Sequence, residues 1–158
     1  MRFNALSRAE AEAELRTCCA SRRWAATVAA GRPYDSVEEL CAAAGTAVRD
    51  LEWPDVEEAL AAHPRIGDRP RGVGRESAWS RGEQSGVGDA DRAAFAEGNV
   101  AYEERFGHVF LICASGRGAA EMLAELRERM GNEPAAERSV VHGELVKITD
   151  LRLRKLFA

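Results

Sequence analysis

The chain is 158 residues long, which suits one domain, residues 1–158, around a single core. Apolar residues make up 46% and charged residues 30%, and the net charge is −4 with arginines interleaved among acids. That balance excludes the basic stripe of a nucleic-acid binder, whereas a small anionic ligand needs only one or two local cations and stays open.

No apolar stretch is long enough to span a bilayer, so no membrane partner is expected. Met1-Arg2-Phe3-Asn4 carries no apolar signal region and Lys155-Leu156-Phe157-Ala158 is no Ser-Lys-Leu address, so the expectation is a cytoplasmic protein. Cys18, Cys19, Cys41 and Cys113 form no Cys-x-x-Cys pair and no zinc spacing with histidine. They read as buried thiols in a reducing compartment, and no metal is expected. Heavy use of Ala, Leu, Arg and Glu favours helix throughout.

Ser7-Arg8-Ala9-Glu10 is a capping box, and the helix behind it carries Leu15, Cys18 and Cys19. A short helix from Trp24 to Ala30 stops at Gly31 with Pro33 beyond. Ser36 can cap a third helix through Glu39, with Val37, Leu40, Cys41, Ala44, Val48 and Leu51 at helical spacing. Pro54 suits the first turn of a helix over Asp55 to Ala62, which must end by His63 because Pro64 disfavours helix in the residue before it.

Residues 64–75 read as a loop with four arginines, at 65, 69, 71 and 75. Glu76 to Gln84 can be helical, which puts Ser80, Glu83 and Gln84 on one face. Asp89 or Asp91 can cap a helix running to Phe106, closed by Gly107. Val109 to Ala114 is a short apolar run, read as an extended buried segment because no partner strand is evident. Arg117 to Met130 reads as a helix with Met122, Leu123, Leu126 and Met130 inward. Pro134 opens a last helix to about Phe157, with Val141, Leu145, Ile148, Leu151 or Arg152, and Leu156 along one face. The architecture is a single, mostly helical domain.

Four features can carry chemistry. His63 is forced to a helix end, where it either bonds backbone or works as a group that titrates near neutrality. Ser80, Glu83 and Gln84 form either a solvated face or a hydroxyl, carboxylate and amide set for a ligand rich in N–H and C=O groups. Arg152 lies beside the last helix's apolar stripe, where it either snorkels outward or offers its fork to an anionic ligand. The run from Phe110 to Ala114 is core, yet an extended segment leaves backbone groups that a ligand can use. His108 and His142 read as structural or surface residues. No Gly-x-x-x-x-Gly-Lys loop, nucleophile elbow or His-Glu-x-x-His supports phosphate-loop, serine-hydrolase or zinc-protease chemistry.

Taken together, four segments stand in a recognisable order. They are Ala62-His63-Pro64-Arg65-Ile66-Gly67, Ser80-x-x-Glu83-Gln84, Asn99-x-x-Tyr102-x-x-Arg105-Phe106-Gly107-x-x-Phe110 and Lys147-Ile148-x-x-Leu151-Arg152-Leu153. This series resembles the OHCU decarboxylases, which act on 2-oxo-4-hydroxy-4-carboxy-5-ureidoimidazoline. The resemblance implies an all-α fold, a single compact multi-helix domain, and a cofactor-free decarboxylase that yields (S)-allantoin in urate breakdown. It also implies a small-molecule substrate and a homodimer. By the same resemblance His63 is the catalytic acid and Glu83 its essential partner. Pro64, Ser80, Gln84 and the segment Phe110, Leu111, Ile112, Cys113 and Ala114 map to substrate contacts, and Arg152 to an anchor. Where the family often has Phe-Gly-Phe-Pro-Phe, this chain has Phe106-Gly107-His108-Val109-Phe110. The alternatives are a lyase or hydrolase on a related ureido ring, a non-catalytic helical interaction module, and a transition-metal enzyme using His63, His108 and Cys113.

Overall fold

Three serines start three of the first four helices. Ser7 forms the full capping box with Glu10, Ser21 Oγ accepts from Trp24 N (3.2 Å), and Ser36 Oγ accepts from Glu39 N (3.1 Å). The computed structural model describes residues 1–68 and 75–158. Over these the chain forms nine α-helices, one 3-10 turn and no strand. In order they are α1 (Arg2–Ala5), α2 (Arg8–Cys18), α3 (Arg22–Ala30), α4 (Val37–Arg49), α5 (Trp53–Leu60), α6 (Arg75–Glu83), the 3-10 turn (Asp89–Asp91), α7 (Arg92–Phe106), α8 (Ala119–Arg129) and α9 (Pro134–Phe157). The all-α expectation holds. Arg69 and Arg71 of the expected arginine-rich loop lie outside the described residues, and Arg75 belongs to α6.

The chain packs as two compact units: Met1–Ala62 with His142–Ala158, and His63–Val141. In the first, α3 packs on α2, α4 and α5 around buried Leu15, Trp24, Leu40, Val48, Leu145 and Leu153. The Trp24 indole N–H donates to Ala44 O at 3.0 Å, so this large ring is buried without an unmet donor. Helix α4 stops at Arg49 rather than reaching Leu51, because the N–H groups of Asp50 and Leu51 turn back to Thr46 O and Val48 O. Leu51 is still buried, and its carbonyl pairs with His142 Nε2 at 3.1 Å, so His142 is structural as expected. Helix α5 carries Pro54 in its first turn and closes at Leu60, three residues before His63.

The second unit holds α6, α7, α8 and the first turns of α9. Its core gathers Phe95 and Tyr102 of α7, Phe110 and Ile112 of the extended segment, and Met122 and Leu126 of α8. Leu123 and Met130, expected inward, are only partly buried at its edge. Asp91 does not cap α7: its own backbone is already helical (φ −89°, ψ −14°) because the 3-10 turn leads straight in. Helix α8 begins at Ala119, later than expected, because Arg117 N closes a turn onto Ala114 O (3.0 Å).

Candidate active site

His63 opens the second unit. The loop behind it is held at four points. Arg65 forks onto Glu103 with two 2.8 Å bonds, and Asn99 Nδ2 donates to Ile66 O at 2.8 Å. Gly67 N donates to Gln84 Oε1 at 3.0 Å, and Arg92 Nη1 donates to Gly67 O at 2.8 Å. Gly67 has φ +94°, and a Cβ there would stand 2.9 Å from Phe95 Cβ, so both conformation and packing require glycine. Pro64 fixes the start of this loop and the four bonds fix its course.

Helix α6 brings Ser80 and Glu83 onto one buried face, 5% and 9% exposed, one turn apart. Burying a hydroxyl and a carboxylate is costly unless they are bonded, and neither side chain is without a partner. The solvated-face alternative is thereby excluded for these two residues. Gln84, half-buried just past the helix, keeps its N–H on Ser80 O (3.0 Å). Its side-chain amide oxygen accepts from Gly67 N, so the end of α6 lies against the His63-Pro64 loop.

Gly86 ties α6 to the extended segment. A Cβ at this position would stand 2.3 Å from Arg117 O, an approach open only to glycine. Arg117 closes the turn behind Ala114. The loop 63–68 and the Ser80/Glu83/Gln84 face therefore meet at the C-terminal end of α6, and the turn that follows Ala114, at the end of the run 110–114, lies against the exit of the same helix.

Residues 109–114 lie outside any helix or strand among the described residues. Phe110, Leu111, Ile112 and Ala114 are buried, and Cys113 is partly exposed. The N–H groups of Phe110, Leu111 and Ile112 bond to no backbone carbonyl among the described residues. Side chains hold the segment instead. Arg129 Nη1 donates to Leu111 O at 2.8 Å. His108 packs edge-on against Tyr102 (5.5 Å), and its Nδ1 lies 3.1 Å from Val109 O. A carbonyl only accepts, so Nδ1 carries the proton in that bond.

Behind the segment lies a buried polar network that sequence reading missed. Arg129, 4% exposed, meets Glu137, fully buried, through Nε (2.8 Å) and Nη2 (2.6 Å). The Tyr102 hydroxyl makes a short bond to the same carboxylate, and Asn132 Nδ2 adds a third donor at 3.1 Å. Burial, reinforced by the Glu137 carboxylate, pushes the Tyr102 phenol far above its ordinary range. Burial works against the Arg129 charge, but the Glu137 bonds outweigh it and raise its pKa. Arg129 and Glu137 stand eight residues apart and flank a Gly131-Asn132 turn, a spacing that carries no helical or motif signal.

Arg152 belongs to the first unit, on α9. It is 4% exposed, so the snorkelling alternative fails. The inner stripe of α9 runs through Ile148, Arg152 and Leu153, while Leu151 and Leu156 are only half-buried. Close by is the Cys19 thiol, pushed up to about 11 by burial despite the Arg152 charge. Among the described residues no three His, Cys, Asp or Glu side chains are grouped so as to hold a metal ion, His63, His108 and Cys113 included.

A helical chain with a histidine loop, a buried carboxylate face and an extended backbone wall has the parts of a small-molecule site. The sequence profile of the family described as OHCU decarboxylase matches residues 4–154, and the chain belongs to that family. It is 36% identical over 153 residues, 93% of its length, to "Uric acid degradation bifunctional protein TTL" of Arabidopsis thaliana, and spans about half (47%) of that protein. It is 39% identical over 137 residues to the 2-oxo-4-hydroxy-4-carboxy-5-ureidoimidazoline decarboxylase of Amia calva, covering 84% of this chain and 78% of that one. Among solved structures, that of an OHCU decarboxylase in the presence of (S)-allantoin is similar with a TM-score of 0.79 and 34% identity, covering 91% of this chain and 96% of the other.

Proposed function

We propose that this chain decarboxylates 2-oxo-4-hydroxy-4-carboxy-5-ureidoimidazoline to (S)-allantoin in urate degradation, with His63 as proton donor and Glu83 as its partner. The observation that carries the reading is the meeting of the His63-Pro64 loop and the Ser80/Glu83/Gln84 face at the end of α6, with the turn after Ala114 against the exit of the same helix, in a family with a solved member crystallised in the presence of (S)-allantoin. Residues 1–158 act as one catalytic domain in this reading, since the family match runs through both compact units.

Loss of CO2 leaves the bonding electron pair on the ring carbon that carried the carboxylate, and the imidazoline ring of this substrate can delocalise it, so the reaction needs no cofactor. The protein's tasks are orientation, exclusion of water around the departing carboxylate, and delivery of one proton to one face. The four bonds at Arg65, Ile66 and Gly67, just behind His63, support a role in stereospecific delivery. In this reading Glu83 holds the imidazole and accepts ureido N–H groups. Gln84 spends its oxygen on Gly67, which leaves its amide N–H groups as donors to a substrate carbonyl. Ser80, Pro64 and the backbone of Phe110 to Ala114 complete the contacts, and Arg152 anchors the substrate through its fork.

The test is a coupled reaction. The unstable substrate is generated from urate with the two preceding enzymes, this chain is added, and circular dichroism is followed. Rapid appearance of optically active allantoin is expected, whereas only the slow spontaneous racemic product would refute the reading. A homodimer, as the family resemblance implies, should appear as twice the chain mass by light scattering. A cytoplasmic location is part of the same reading.

A further inference from the structure

Arg129 spreads its guanidinium over three targets, the most distant being Glu125 Oε2, 3.4 Å from Nη1. Nε and Nη2 grip Glu137, and Nη1 reaches Leu111 O at 2.8 Å. The group is fixed from behind, because Glu137 is itself held by Tyr102 and Asn132, and from the side, because the guanidinium lies 4.5 Å over the Phe110 ring. A buried ion pair is a poor way to gain stability, since apolar residues of equal volume do as well or better. What apolar residues cannot do is hold a carbonyl.

The peptide unit is planar and trans, so its C=O and N–H point in opposite directions. Holding Leu111 O therefore sets the direction of the Ile112 N–H. Ile112 is 2% exposed, and its N–H meets no backbone carbonyl among the described residues. In so buried a residue an N–H seldom goes without an acceptor. We infer that Arg129 is a positioning residue: by holding the Leu111 carbonyl it presents the Ile112 N–H, already oriented, to a carbonyl or carboxylate oxygen of the substrate. The inference rests on the reading of residues 110–114 as a substrate wall.

Arg129→Lys keeps a cation beside Glu137 but offers a single nitrogen in place of the two that converge on Glu137 Oε2 and the third that reaches Leu111 O. The expected result is a rise of about ten-fold in KM, and in the Kd of (S)-allantoin, with kcat changed less, as for one lost hydrogen bond. Amide exchange at Ile112 should quicken while exchange in α7 stays as it was. Leu126→Ala, an apolar truncation on the same helix, controls for destabilisation and should leave the Kd within about two-fold. If Arg129→Lys does not fold, Arg129→Met with Glu137→Gln removes both charges, leaves none unpaired, and should raise KM equally. A folded variant at position 129 with unaltered KM and allantoin affinity overturns the inference, as does Leu126→Ala weakening binding to the same extent. An unaltered chain that neither turns over the substrate nor binds (S)-allantoin overturns the proposed function and this inference together. An active chain with indifferent Arg129 variants overturns the inference alone.

Discussion

At the scale of single residues, His63 and Arg152 carry the most testable chemistry. Asparagine replaces the His63 imidazole with a group of similar polarity that cannot donate a catalytic proton near neutrality. His63→Asn should lower kcat by about 10²–10⁴-fold, the usual worth of general acid catalysis, with a melting temperature close to that of the unaltered chain. A folded His63→Asn with near-full turnover would remove the proton-donor role. Arg152 is buried on α9, and in the proposed reading its fork anchors the substrate. Arg152→Lys keeps the charge and loses the fork. Steady-state kinetics should show KM raised by about five- to ten-fold, as for one charge-assisted bond, with the chain still folded by circular dichroism. Unchanged kinetics would show that Arg152 is no anchor.

At the scale of elements, α6 and α7 share the placement of the site. Asn99 and Tyr102 lie one turn apart on α7. Asn99 holds Ile66 O behind His63, while Tyr102, through Glu137 and Arg129, backs the carbonyl of Leu111. One face of one helix thus supports both the histidine loop and the run 110–114, which gives the Asn99-x-x-Tyr102 spacing a physical meaning. Helix α6 is placed by its exit at Gly86. In Gly86→Ala the new methyl would meet the Arg117 carbonyl, so the turn must move, at about 1–3 kcal/mol in urea denaturation. kcat/KM should fall at least ten-fold, because Glu83 and Gln84 move with it. Gly82→Ala is the internal control: nothing lies within 4 Å of its Cβ position. That variant should keep full activity and gain about 0.5–1 kcal/mol from helix propensity.

At the scale of the whole chain, elements with local signals were legible in the sequence and those built from distant partners were not. The Ser7 box, the Ser36 cap, the stop at Gly31, the span of α9 and the extended run at 110–114 all follow from neighbours a few residues away. Arg129 and Glu137 were silent, because an arginine and a glutamate in helices look solvated until the fold buries them together. Cys19 was read as a buried thiol, and its environment predicts how stability depends on pH. Its pKa is raised by burial from 9.0 to about 11, so the thiol stays protonated in the native chain while it ionises in the unfolded one. A raised acid pKa contributes stability that is present below pH 9 and is lost as pH rises toward 11. The slope approaches about 1.4 kcal/mol per pH unit for this one thiol. Cys41, likewise pushed up to about 11, acts in the same direction, and the raised phenols of Tyr34 and Tyr102 add to the loss above pH 10. Urea denaturation at pH 8, 9 and 10 should therefore show a falling free energy of unfolding, and Cys19→Ala should fall less steeply than the unaltered chain. Equal slopes for the two would show that the Cys19 thiol does not titrate differently in the folded and unfolded states.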